Sequence, residues 1–81
     1  MLDLYLNHNC PYCKKVISFL EKHNIKFNNI DVGIKENIEK LLSLGGKEQV
    51  PFLYDSENKT KMYESSDIIS YIAKKQGIEN E

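Results

Sequence analysis

Residues 2–20 read LDLYLNHNCPYCKKVISFL, and they decide the fold because the spacing of the apolar residues changes within them. Leucine occupies every second position from residue 2 to residue 6, which predicts a β-strand. From Cys13 onward the apolar residues recur at helical spacing, which predicts a helix that begins at Pro11 and ends near His23. The polar stretch Asn7-His8-Asn9 therefore joins a strand to a helix.

A second strand and a second helix follow. Residues 26–32 alternate around Phe27 and Ile30, which predicts the strand. The helix is predicted from a stripe of apolar residues at helical spacing, Ile34, Ile38, Leu41 and Leu42. Gly45-Gly46 is expected to end this helix, because glycine readily adopts the left-handed conformation that closes a helix.

The last third of the sequence predicts a hairpin and a final helix. Residues 50–54 form the first strand of the hairpin, residues 55–58 its turn and residues 59–63 its returning strand. Ser65 or Ser66 is expected to cap the helix, which ends at Gly77 before a frayed stretch over residues 78–81. The inner face of this helix is predicted to carry Ile68, Ile69, Ile72 and Ala73. The element order is thus β-α-β-α-β-β-α, with a parallel first pair of strands and an antiparallel last pair.

The composition indicates one small globular domain over residues 1–81, which we expect to be a monomer. The chain is 41% hydrophobic and 28% charged, and its net charge is −1. Because the two signs are interleaved and no basic stripe is present, nucleic acid is not expected as a partner. No signal peptide and no membrane span are predicted, so we expect a cytoplasmic protein.

Cys10-Pro11-Tyr12-Cys13 is the motif that carries chemistry. Cys10 falls at the start of the first predicted helix, where unpaired backbone N–H groups and the helix dipole favour an anion. A thiolate is therefore expected at Cys10, and a thiolate is the attacking form of cysteine. Cys13 lies one turn further along, where it can bridge Cys10.

Zinc binding and a structural disulfide explain this motif less well than redox chemistry does. A structural zinc site needs about four ligands, and the only other soft ligands are His8 and His23, of which His23 lies near the far end of the helix. No metal site is predicted. A purely structural disulfide would close a tiny loop and would stabilise the chain little. Redox chemistry therefore explains the pair best.

The motif Cys10-Pro11-Tyr12-Cys13, together with the element order, resembles the glutaredoxins over essentially the whole chain. The resemblance implies a thioredoxin-like three-layer α/β sandwich, with a four-stranded mixed sheet and three helices. Gln49-Val50-Pro51 is similar to the Val-Pro segment of that family, which implies a cis bond before Pro51. The family role of this segment is to present the backbone of Val50 to glutathione, while Tyr12 offers an aromatic wall beside the sulfur.

The sequence departs from most glutaredoxins near the last helix. Tyr63-Glu64 stands where they have Gly-Gly, and Glu64-Ser65 followed by Asp67-Ile68 resembles the N-terminal domains of glutathione transferases. This resemblance implies a site for the γ-glutamyl group, and the alternative for the same residues is plain helix capping. The implied ligands are Glu64, Ser65, Ser66 and Asp67. Tyr54, Tyr63 and Tyr71 are otherwise predicted to fill the core or the sheet edge.

A second departure concerns the lysine that many glutaredoxins have shortly before the first cysteine. Asn7-His8-Asn9 fills that loop here. Lys14, Lys15 and Lys47 remain as cations, and Lys47 is the best candidate to bind the glycyl carboxylate of glutathione.

The resemblance implies an enzyme, a glutathione-dependent thiol–disulfide oxidoreductase. Cys10 would be the nucleophile, Cys13 would form the redox disulfide with it, and glutathione would be the reducing co-substrate. Its expected partners are glutathionylated or disulfide-containing proteins, in electron transport and cell redox homeostasis. Three alternatives stay open: an iron–sulfur carrier as a glutathione-bridged dimer, an electron donor fed by thioredoxin reductase, and a non-catalytic glutathione-binding module.

Overall fold

Seven elements follow one another in the predicted order in the computed structural model, which describes residues 2–78. They are β1 (Leu2–Leu6), α1 (Pro11–Lys22), β2 (Asn28–Asp31), α2 (Lys35–Gly45), β3 (Phe52–Asp55), β4 (Thr60–Met62) and α3 (Ser65–Gln76). The predicted strands over 26–32, 50–54 and 59–63 differ from the observed strands by one or two residues at each end. None of the helices within residues 2–78 is long and apolar enough to cross a bilayer.

The four strands form one mixed sheet in the order β2-β1-β3-β4. β1 is parallel to β2 and antiparallel to β3, while β3 and β4 form the antiparallel hairpin. Leu4, Tyr5 and Leu6 are all fully buried, because β1 is covered on both of its faces. This arrangement confirms the predicted thioredoxin-like three-layer sandwich.

Two hydrophobic clusters lie on opposite faces of the sheet. The larger one joins alternate residues of β1 to the apolar faces of α1 and α3, and includes Leu4, Val16 and Ile72. The smaller one contains Tyr5, Leu41 and Phe52 and lies under α2. The leucine alternation of the first strand therefore supplies the core on one side, and Tyr5 supplies it on the other.

The helix predicted from the apolar stripe is confirmed as α2, but the prediction was wrong at Ile34, which lies before the first helical residue. Only Leu41 is fully buried, whereas 53% of Ile34 and 41% of Leu42 are exposed. Ile34 precedes the first helical residue, so it does not share the face of the helix. The predicted end of the helix is confirmed, since Gly46 adopts the left-handed conformation with φ of 81° and donates to the carbonyl of Leu42 at 2.9 Å.

The cap predicted for α3 was also wrong. Glu64 occupies the N-cap position, and Ser65 is already the first helical residue, so the serine side chain cannot act as the cap. The inner face is confirmed at Ile68 and Ile72, which are buried, and Gly77 ends the helix with φ of 70°. The predicted fraying falls, apart from residue 78, outside the described residues.

Asp55 was predicted as part of a turn, but it is the last residue of β3 and is fully buried. One carboxylate oxygen accepts hydrogen bonds from Lys75 Nζ at 2.5 Å and from the Tyr71 hydroxyl at 2.6 Å. The other accepts the N–H of Glu57 at 3.1 Å. This buried carboxylate therefore ties the hairpin to the end of α3 farthest from Ser65.

Candidate functional site

Cys10 is the N-cap residue of α1, as the sequence predicts. Its backbone is extended, with φ of −88° and ψ of 118°, and its N–H donates to the carbonyl of Asn7 at 3.0 Å. Its sulfur takes the place of a capping oxygen and accepts the N–H of Cys13 at 3.3 Å. Cys10 is half-buried, and its sulfur lies at the N-terminus of the helix, where negative charge is favoured.

Cys13 lies in a different environment, although it is only one turn away. It is fully buried, and it packs with Val16 and Leu20 in the larger hydrophobic cluster. Burial raises the pKa of the Cys13 thiol to about 12. A hydrogen bond with the backbone of Asn7 lowers this pKa by less than burial raises it, and the neighbouring Cys10 sulfur raises it slightly further. Both cysteines are free thiols in this structure. The pair therefore combines an accessible sulfur with a buried, protonated one.

The segment before β3 has the predicted shape. The bond between Val50 and Pro51 is cis, and Pro51 is buried. Val50 is half-buried and precedes the first strand residue, Phe52. Within residues 2–78 no hydrogen bond engages the backbone N–H or carbonyl of Val50, so both are available to an extended ligand.

A groove of about 510 Å³ runs from this segment to the start of α3. Of the predicted glutathione ligands, seven line it, namely Tyr12, Gln49, Val50, Pro51, Glu64, Ser65 and Ser66. Lys47 and Asp67 were predicted as ligands but do not line it, while Lys15 and Tyr63 do. Tyr63 was predicted as a structural aromatic, and its only signal in the sequence is its place at a family glycine position.

The start of α3 forms one wall of the groove. Glu64 makes no hydrogen bond with its side chain at the N-cap, so no side chain caps this end of the helix. The backbone N–H groups of the first turn, together with the hydroxyls of Ser65 and Ser66, are thus arranged to receive an anion such as a carboxylate. Glu64 and Asp67 are exposed beside them and can attract an ammonium group.

Other features of the described chain lie apart from the two cysteines. A depression of about 550 Å³ lies at the far end of α1, between His23 and Lys75. Neither cysteine lines this depression or the groove, but the groove reaches the start of α1 at Tyr12. No group of three or more His, Cys, Asp or Glu side chains within residues 2–78 is arranged to hold a metal ion.

Comparison with known sequences relates the chain to two kinds of protein. Residues 4–80 match the family described as glutathione S-transferase, N-terminal domain. The glutaredoxin-like protein NrdH of Lactococcus lactis subsp. cremoris (strain MG1363) is 37% identical over 46 residues. That alignment covers 56% of this chain and 64% of the relative.

Solved structures share the fold over almost the whole chain. Human glutathione S-transferase T1-1 superposes with a TM-score of 0.82 at 27% identity, over 98% of this chain and 34% of that protein. Glutaredoxin 2 from Salmonella typhimurium, solved in complex with glutathione, superposes with a TM-score of 0.81 at 23% identity, over 96% of this chain and 35% of that protein. The chain therefore spans about a third of these two proteins.

Proposed function

Because the chain belongs to the family of glutathione S-transferase N-terminal domains, we propose that it is a glutathione-dependent thiol–disulfide oxidoreductase. The observation that carries this proposal is the Cys10 sulfur, which caps α1 and accepts the N–H of Cys13 at 3.3 Å. Tyr12, two residues along, lines the groove that contains the predicted glutathione ligands. A transferase-like groove beside a helix-capping cysteine supports redox chemistry on a glutathionyl sulfur.

Each part of glutathione has a candidate partner in the groove or next to it. The cysteinyl residue of the tripeptide would pair with the backbone of Val50, whose N–H and carbonyl have no partner within residues 2–78. The γ-glutamyl carboxylate would bind at the N-terminus of α3, near Ser65 and Ser66, and its ammonium would lie beside Glu64. Lys47 would take the glycyl carboxylate from the rim, although it does not line the groove itself.

The first step of the proposed reaction is an exchange of one S–S bond for another. The thiolate of Cys10 attacks the glutathionyl sulfur of a mixed disulfide, forms a Cys10–glutathione disulfide and expels the substrate sulfur as a thiolate, which takes a proton from water. The N–H of Cys13 donates to the Cys10 sulfur and therefore stabilises it both as the attacking thiolate and, later, as the leaving thiolate.

The second step returns the enzyme to its reduced form. The thiolate of a free glutathione attacks the glutathionyl sulfur bound to Cys10, so that glutathione disulfide leaves and the Cys10 thiolate is restored. Cys13 could instead attack the Cys10 sulfur and form an internal disulfide. With a pKa of about 12, however, the Cys13 thiol is rarely ionised near neutral pH. We therefore propose that free glutathione resolves most turnovers.

One alternative is favoured by the family match itself: a domain that binds glutathione in the same groove without using its cysteines. The rate at which the protein reduces the mixed disulfide of glutathione and 2-mercaptoethanol distinguishes the oxidoreductase from the binding domain. We expect Cys10→Ser to abolish this activity and Cys13→Ser, the matched control, to keep most of it. If Cys10→Ser still turned over at the wild-type rate, or if wild type bound glutathione without turnover, the oxidoreductase proposal would be wrong.

A further inference from the structure

Tyr63 joins two parts of the groove that are distant in sequence. It follows β4, and its hydroxyl accepts the backbone N–H of Lys47 at 3.0 Å and donates to the carbonyl of the same residue at 2.9 Å. Lys47 belongs to the loop of residues 46–51, which links α2 to β3 and contains Val50 and Pro51. One hydroxyl thus satisfies both backbone groups of a loop residue that makes no strand pairing.

The ring of Tyr63 is itself fixed by its neighbours. It packs on Phe52, with 4.7 Å between the ring centroids and 44° between the ring planes, and the Lys47 ammonium lies 5.7 Å from its centroid. At Gly45, the last residue of α2, an added Cβ would overlap the hydroxyl of Tyr63. The hydroxyl of Tyr63 therefore occupies the space that a side chain at residue 45 would need, and only glycine fits at this position.

We infer that Tyr63 is a positioning residue for glutathione, an inference that rests on the proposed function. It acts through the loop 46–51, whose residues are mostly exposed and of which only Pro51 is buried. By bonding to both the N–H and the carbonyl of Lys47, Tyr63 sets the direction in which the Val50 backbone faces the groove. Without that hydroxyl, the loop must be ordered when glutathione binds, which weakens binding but leaves the sulfur chemistry of Cys10 unchanged.

The test compares Tyr63→Phe with Tyr54→Phe. The first change keeps the ring and its packing on Phe52 while it removes both hydrogen bonds to Lys47. The second removes a hydroxyl from Tyr54, which belongs to the same hydrophobic cluster but does not line the groove. We expect Tyr63→Phe to raise KM for glutathione about tenfold with kcat unchanged, whereas Tyr54→Phe leaves both constants as in wild type.

Hydrogen exchange of the Lys47 amide gives a readout that does not depend on glutathione. Tyr63→Phe should accelerate this exchange, and Tyr54→Phe should not. If exchange is faster but KM is unchanged, Tyr63 holds the loop without positioning glutathione, and the inference is wrong. A fall in kcat with KM unchanged would also overturn it. If wild type itself does not turn over glutathione mixed disulfides, the proposed function fails. If wild type turns over but the exchange of the Lys47 amide is unaltered in Tyr63→Phe, only the role of Tyr63 is refuted.

Discussion

Replacing Asp55 by Asn will make folding stability less dependent on pH in the acidic range. Burial by itself raises the pKa of this carboxyl, but the hydrogen bonds from the Lys75 ammonium and the Tyr71 hydroxyl outweigh burial and lower the pKa to about 2. Asparagine keeps the shape of the side chain and removes its ionisation. The substitution therefore isolates the contribution of the charge on Asp55.

The size of this contribution follows from the difference in pKa between the unfolded and folded states. An aspartate in an unfolded chain has a pKa of about 3.9, whereas Asp55 in the folded protein has a pKa of about 2. Because the folded pKa is the lower one, the stabilisation is complete above about pH 5 and is lost as the pH falls towards the folded pKa. A shift of nearly two units corresponds to about 2.5 kcal/mol, of which about half remains at pH 3.

Urea denaturation at pH 6, 4 and 3 measures this contribution. The free energy of unfolding of wild type should exceed that of Asp55→Asn by a margin that shrinks by about 1 kcal/mol between pH 6 and pH 3. Asp3→Asn is the matched control: the carboxylate of Asp3 is partly exposed and accepts an amide of Asn28 at 2.7 Å, so this variant should retain the contribution of Asp55. A margin between wild type and Asp55→Asn that stays constant over this pH range would refute the reasoning.

Two further predictions each compare a buried residue with a more exposed neighbour, namely Cys13 with Cys10 and Leu41 with Leu42. Iodoacetamide at pH 8 will alkylate Cys10 and leave Cys13 unmodified in the folded protein, because the Cys13 thiol is buried with a pKa of about 12. Peptide mass mapping will show which cysteine is alkylated, and equal labelling of both cysteines would contradict this assignment. Leu41→Ala will lower the free energy of unfolding by about 2–5 kcal/mol and Leu42→Ala by about 1 kcal/mol or less, since only Leu41 is fully buried. Equal losses in urea denaturation would show that α2 packs through a different face.

The sequence was sufficient to predict the order of the elements and the place of the two cysteines. Both follow from local patterns, because a change in hydrophobic spacing marks the junction of β1 and α1, and Pro11 fits the first turn of the helix. Local patterns do not show how much of a helix the neighbouring elements cover. For this reason the apolar stripe predicts the helix α2 but not the exposure of its members, which is 53% for Ile34 and 41% for Leu42.

Asp55 and Tyr63 could not be assigned from the sequence because their partners are distant along the chain. Asp55 follows the strand predicted over residues 50–54 and precedes Ser56 and Glu57, a composition typical of a turn, yet its ammonium partner is twenty residues away. Tyr63 bonds to a backbone sixteen residues earlier. A local window contains neither partner, so each residue appeared to have an ordinary structural role. The prediction of the groove accordingly succeeded mostly at residues of the quoted motifs, and it missed Lys15 and Tyr63.

The different chemistry of the two cysteines follows from the same helical periodicity that predicts α1. At the N-cap, Cys10 lies outside the helical turns and is half-buried, and its sulfur accepts the N–H of Cys13. Three residues later, Cys13 falls on the stripe that includes Val16 and Leu20, so its thiol enters the core and its pKa rises. If the spacing between the two cysteines were changed by one residue, the second sulfur would leave that stripe and lose its burial. The spacing of the motif therefore does more than bring two sulfurs within reach, since it also keeps one of them protonated.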